Sequence, residues 1–171
     1  MLRAIQRLGA GCDSAGALAD TLTLSFEQRQ RGRLRAVGDS GGEIGLFLDR
    51  GPVLRDGDCL ATEDSQIVVI RAAAEPVVTA YVAFGLPLAR LCYHLGNRHV
   101  PLAIGATEDG QGYVRLQPDH VLEALAERLG ARLERHEAPF DPEPGAYAAG
   151  EGHSHAQHAH DHDGHKHTHE H

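Results

Sequence analysis

From Leu22 to about Ala74, apolar residues recur at alternate positions. Leu22, Leu24 and Phe26 alternate with Thr and Ser, Ile44, Leu46 and Leu48 follow, and then come Ile67 and Val69. A period of two puts one side of each segment against a core and the other in water, so it predicts short strands. Between them lie turn formers: Gly38-Asp39-Ser40-Gly41-Gly42, Arg50-Gly51-Pro52, Asp56-Gly57-Asp58 and Glu63-Asp64-Ser65. They are too closely spaced for helical crossovers, which predicts a meander of antiparallel strands in a small all-β domain. Arg29, Arg31, Arg33 and Arg35 alternate along what would be one strand face. That strip reads first as a solvated side and second as a contact for an acidic protein.

At Glu75-Pro76 the pattern changes, because proline disfavours helix before it and helical spacing appears beyond it. Val77 to Phe84 reads as a strand. Pro87 then opens a helix carrying Leu88, Leu91, Cys92 and Leu95 on one stripe, closed at Gly96-Asn97 by a left-handed residue. Val100 to Gly105 and Gly112 to Leu116 are two more strands around the Glu108-Asp109-Gly110 turn. Pro118-Asp119 starts a second helix with Val121, Leu122, Leu125 and Leu129, and Gly130 ends it before a last strand from about Ala131 to Glu137. The order βαββαβ predicts a ferredoxin-like sheet with two helices on one face. The fold class is therefore α+β: an N-terminal β domain over residues 1–75, a ferredoxin-like domain over 76–148, and a tail over 149–171 that is expected to be disordered.

The tail changes the picture from fold to chemistry. His153, His155, His158, His160, His162, His165, His167, His169 and His171 are separated by small or acidic residues and single Lys, Gln and Thr spacers. Neutral imidazole binds borderline transition metals, and a segment with nothing to bury can gather many of them. A cloning tag would be an uninterrupted run; a low-complexity tail without a role would be rich in Glu, Ser, Pro and Lys rather than His.

Charge and cysteines set limits on other functions. The net charge is −8 over 171 residues. From Glu151 onward four acids against Lys166 contribute −3, leaving −5 on the body and no basic face for nucleic acid. Cys12, Cys59 and Cys92 are widely spaced and form no C-x-x-C pair, which argues against a disulfide framework or a zinc knuckle and for reducing cytoplasm. Each reads as a small buried hydrophobe. Arg3, Gln6 and Arg7 interrupt the apolar residues of the first ten, and no run of eighteen apolar residues occurs, so the chain reads as having neither secretion signal nor membrane span.

Within the body, His94-Leu95-Gly96-Asn97-Arg98-His99-Val100-Pro101 is the densest polar cluster. If Gly96 breaks the helix, both rings can lie near the first helix-to-strand connection, although each alone also fits a capping or surface role. A lone body histidine cannot hold a first-row metal, but a two-fold dimer would duplicate it and tail histidines could complete the shell. His120 and His136 read as structural. No G-x-x-x-x-G-K-S/T loop, G-x-S-x-G elbow or H-E-x-x-H helix is present, and Asp56 with Asp58, like Glu63 with Asp64, falls in a turn, so no enzyme activity is expected.

Several strings together resemble the urease accessory protein E (UreE) metallochaperones. They are HLGNRHVP at His94 to Pro101, Asp119-His120-Val121-Leu122, and FDPEPGAY at Phe140 to Tyr147, with the Arg29 to Arg35 strip, the Leu54 to Asp58 turn and the His-rich tail around them. The resemblance implies a homodimeric nickel carrier that delivers Ni²⁺ to apo-urease, acting with the accessory GTPase UreG and with UreD and UreF. It also implies a β-domain similar to a chaperone peptide-binding domain. His99, from both subunits, matches the family's interfacial ligand, while His94 belongs to the motif without being a firm ligand. Many relatives carry a His-x-His pair where this chain has Gly112-Tyr113-Val114-Arg115-Leu116, so no peripheral site is expected there. Imidazole also accepts Zn²⁺ and Cu²⁺, and a nickel or zinc storage buffer without a delivery partner is the alternative function.

Overall fold

The computed structural model describes residues 1–11 and 16–144, which form ten strands and three helices. Strands β1 (Leu2–Ala10), β2 (Leu18–Leu24), β3 (Arg33–Val37), β4 (Glu43–Phe47), β5 (Asp58–Thr62) and β6 (Ile67–Ala72) form one sheet in the order β2-β6-β5-β1-β4-β3. It is not the expected meander, because β1 pairs β4 and β2 pairs β6 in parallel. Parallel neighbours need connections longer than a hairpin, and here other strands of the same sheet serve as the crossovers. The core under this sheet includes Leu22, Leu24, Ile44, Leu46 and Leu48 at the alternating positions of the sequence, but from β6 it takes Val68 and Ile70 rather than the expected Ile67 and Val69.

Between β2 and β3 the chain makes a single helical turn, α1 (Phe26–Arg29), where strand alternation was expected. Its cause is local. Ser25 accepts from the Gln28 amide through its hydroxyl, and the Gln28 side chain accepts from the Ser25 amide, closing a capping box. Phe26 and Arg29, three apart, then share a face and are both buried. The arginine strip is thus divided, with Arg29 inside and Arg33 and Arg35 on the exposed face of β3.

The second sheet has the order β10-β7-β9-β8, built from β7 (Ala74–Val82), β8 (Ala103–Ala106), β9 (Gly112–Leu116) and β10 (Arg132–Pro139), all neighbours antiparallel. Helices α2 (Leu86–Gly96) and α3 (His120–Arg128) complete the βαββαβ order expected from the sequence. Leu88, Leu91 and Leu95 of α2 and Leu122 and Ala126 of α3 pack on Val78, Ala80, Val114 and Leu116. Close seating of α2 depends on Gly112, where a Cβ would meet Leu88 Cδ2 at 2.7 Å. Val121, read as part of the buried stripe, instead faces out.

Asp119 caps α3, its Oδ1 accepting from the amides of Val121 at 2.8 Å and Leu122 at 3.0 Å. These bonds, that from Leu122 foremost, lower its carboxyl below the ordinary carboxylate range, with His120 adding to the effect. A lowered folded pKa means stabilisation that is complete above the unfolded value, about pH 4, and is lost as pH falls through the folded one. Asp119→Asn keeps an acceptor but cannot titrate. The difference in thermal midpoint between the two proteins is therefore expected to shrink from pH 7 to pH 3; a constant difference would assign the cap's contribution to hydrogen bonding alone.

Candidate metal centre

Helix α2 ends at Gly96, and Asn97, at φ −63°, is still right-handed. Arg98 N–H donates to Leu95 O at 3.0 Å and His99 N–H to Gly96 O at 2.9 Å, so two further residues wind back on the helix. The left-handed residue that stops it is His99, at φ +55°, not Gly96 or Asn97 as the sequence indicated. An L residue in this region costs roughly 1–2 kcal/mol, and histidine is among the types found there more often. Pro101 restricts Val100 to extended backbone on the other side. The imidazole is thereby left exposed at a fixed bend in the chain.

His99 lines a cleft of about 490 Å³ between the two domains. The first domain contributes Phe26, Val53 and Arg55 to its walls, and the segment after β10 contributes Asp141, Pro142, Glu143 and Pro144. That segment is clamped. Phe140, fully buried, meets Phe26 edge to face with centroids 5.2 Å apart. Asp141 accepts from two guanidiniums, Arg29 Nη1 at 3.0 Å and Arg55 Nε and Nη2 both at 3.1 Å. Arg29, at 0% exposure, also donates to Leu54 O at 2.8 Å and to Phe140 O. A buried charge is tolerable only when paired and hydrogen-bonded in this way. Glu143 N–H donates to Leu102 O at 2.8 Å, fastening the segment beside the His99 turn.

The other histidines are apart from this cleft. His94 is exposed on α2 with its ring edge-on to Tyr93 at 5.3 Å. His120 begins α3 on the surface. His136 Nε2 is 2.8 Å from Thr79 Oγ1, which also accepts from Arg115 Nε at 3.1 Å, a local hydrogen-bonding role as expected. Tyr113 and Arg115 occupy β9 with the guanidinium carbon 5.5 Å from the ring centroid. The tail histidines, His153 to His171, lie outside the described residues. Among the described residues no three His, Cys, Asp or Glu side chains gather as a metal shell, so His99 is a single imidazole at an open edge. A complete shell needs donors from elsewhere.

Asp56 Oδ1 accepts from the Ala72 amide and Asp58 Oδ2 from the Arg55 amide, both at 2.8 Å, so these turn carboxylates serve the backbone as expected. Cys59 is buried, as expected, but disulfide-bonded, a departure from the reading of the cysteine spacing as arguing against a disulfide framework. Burial raises the Cys92 thiol pKa. No helix among the described residues is long and apolar enough to cross a membrane. The clamp of Arg29, Arg55 and Asp141 went unread in the sequence, where Arg29 sat in an apparently solvated strip and Asp141 in a string noted only for its resemblance.

Comparison with known proteins accounts for both halves. Residues 2–73 match the model of the UreE urease accessory protein N-terminal domain, and residues 75–171 that of its C-terminal domain. Urease accessory protein UreE of Pseudoalteromonas translucida (strain TAC 125) is 64% identical over 132 residues, covering 77% of this chain and 78% of the relative. That of Marinobacter nauticus is 62% identical over 138 residues, covering 78% and 76%, and that of Alkalilimnicola ehrlichii 54% over 127, covering 74% and 75%. With matches spanning both domains, the chain belongs to the UreE urease accessory protein family, and its part in urease maturation is that of an accessory protein rather than an enzyme.

Proposed function

We propose that this protein is a cytoplasmic homodimeric nickel carrier, which collects Ni²⁺ on its histidine tail, holds it at a site made by His99 of both subunits, and delivers it to apo-urease with UreG, UreD and UreF. The observation that carries the reading is His99 itself: an exposed imidazole, held in a left-handed bend and lining a cleft. One imidazole is too few for a first-row ion, and two-fold symmetry supplies the second. Helix α2, which leads into His99, leaves Leu86 and Tyr93 seven residues apart at 62% and 66% exposure, an apolar face suited to a second copy. Nickel rather than zinc or copper follows from the family's role, since imidazole accepts all three.

The tail acts as the collector in this scheme. His153 is nine residues beyond Pro144, so the contour of the chain keeps it within about 30 Å of the cleft wall. Tethering at that range gives ligand at an effective concentration of roughly millimolar, enough to pass an ion inward. Because imidazole binds metal only when deprotonated, uptake falls as pH drops below about 6.5. A full-length chain with all nine tail histidines replaced by Gln is expected to bind fewer nickel ions per dimer in equilibrium dialysis and to keep one tight site. Unchanged stoichiometry would remove the tail from the mechanism.

A further inference from the structure

Two acidic side chains line the His99 cleft, and they are in different states. Asp141 commits both oxygens to Arg29 and Arg55. Glu143, two residues on, is exposed, and its carboxylate makes no hydrogen bond or ion pair among the described residues. Its backbone, by contrast, is fixed. The clamp at Phe140 and Asp141 precedes it, Pro142 and Pro144 flank it, and its amide donates to Leu102 O at 2.8 Å, three residues beyond His99. A carboxylate with nothing to bind is thus held by a rigid segment on the wall of the cleft that His99 lines.

We propose that Glu143 is a carboxylate ligand of the ion held at His99, so that the two-fold site takes two imidazoles and two carboxylates. This rests on the reading of His99 as a metal ligand. The donor chemistry suits a divalent first-row ion, which accepts nitrogen and oxygen donors together. The two anionic oxygens would also offset the charge of the ion where Arg55 stands nearby. Such a site would keep one tight ion even when the tail contributes nothing.

The test uses the full-length dimer with its nine tail histidines changed to Gln, so that only the cleft binds. Glu143→Gln removes the anion and retains the shape, and because the carboxylate has no described partner, the metal-free thermal midpoint is expected to stay unchanged. Chelator competition with Ni²⁺ should show affinity weakened by about tenfold, at the lower end of what altered metal-site partners cost. With Co²⁺ as the spectroscopic probe, the d–d absorption should change in shape as an oxygen donor leaves the shell. In a His99→Asn background the Glu143 substitution should have no further effect. An affinity change under twofold overturns the assignment, as does weaker affinity with an unaltered Co²⁺ spectrum, which would mean that the carboxylate attracts the ion without binding it. If His99→Asn alone leaves nickel affinity intact, the underlying reading of His99 fails, a result separable from any outcome at Glu143.

Discussion

Replacing His99 by Asn is expected to abolish the tight nickel site while leaving the fold untouched. Asparagine is tolerated in left-handed backbone, so the bend at φ +55° survives and only the imidazole is lost. In the proposed dimer symmetry would double the effect, since one substitution would withdraw two donors from a single shell. Changes at groups that merely support a ligand cost 10-fold to 100-fold in affinity, so removing two ligands should cost at least about 100-fold. Chelator competition would measure this, and circular dichroism would show an unaltered fold. The tail would still take up nickel weakly, so total capacity falls little while urease activation in a reconstituted system collapses. A protein that only stores nickel would show the opposite, with activation indifferent to His99.

Replacing Phe140 by Ala is expected to be the most destabilising change at the domain seam. The ring is fully buried, packs edge to face on Phe26, and belongs to a small cluster with Val77 and Ala138 that lies between the two sheets. Phe→Ala in a packed core costs about 3–5 kcal/mol, which for a protein of this size lowers the thermal midpoint by about 6–20 °C. The clamp makes relaxation harder, because the Phe140 carbonyl accepts from the buried Arg29 guanidinium, whose Nε has no hydrogen-bond partner among the described residues. Collapse of the segment would strip that charge of an acceptor. Urea unfolding followed by tyrosine fluorescence would give the change, and a loss below 1 kcal/mol would show that Phe140 contributes little to joining the domains.

The second domain was readable because its signals are local. The stripe of Leu88, Leu91 and Leu95, the cap at Asp119 and the stop at Gly130 each act within a few residues. Strand β1 carried no such signal. Only Ala4 of its nine residues is buried, and irregularities between Ala4 and Gln6 and between Arg7 and Gly9 break the alternation that would have marked it. Arg29 was misplaced for a different reason: its carboxylate partner, Asp141, is 112 residues away, and nothing nearby distinguishes it from Arg31, Arg33 or Arg35. The His99 turn lay between these cases. The presence of a bend was evident from the composition around Gly96, but the residue that takes it was decided by how far the helix continued to wind.

The position of β1 also sets an order of assembly. It lies between β5 and β4, so it has no neighbour until β4 (Glu43–Phe47) has been made, and β2, which pairs β6, has none until Ala72. Pairings so distant in the chain form slowly, and translation proceeds at about 5–20 residues per second. The N-terminal half can then close as a unit while the rest is still being synthesised. Phe140 and Asp141 follow every strand of both sheets, so they emerge late enough to lock two finished halves together.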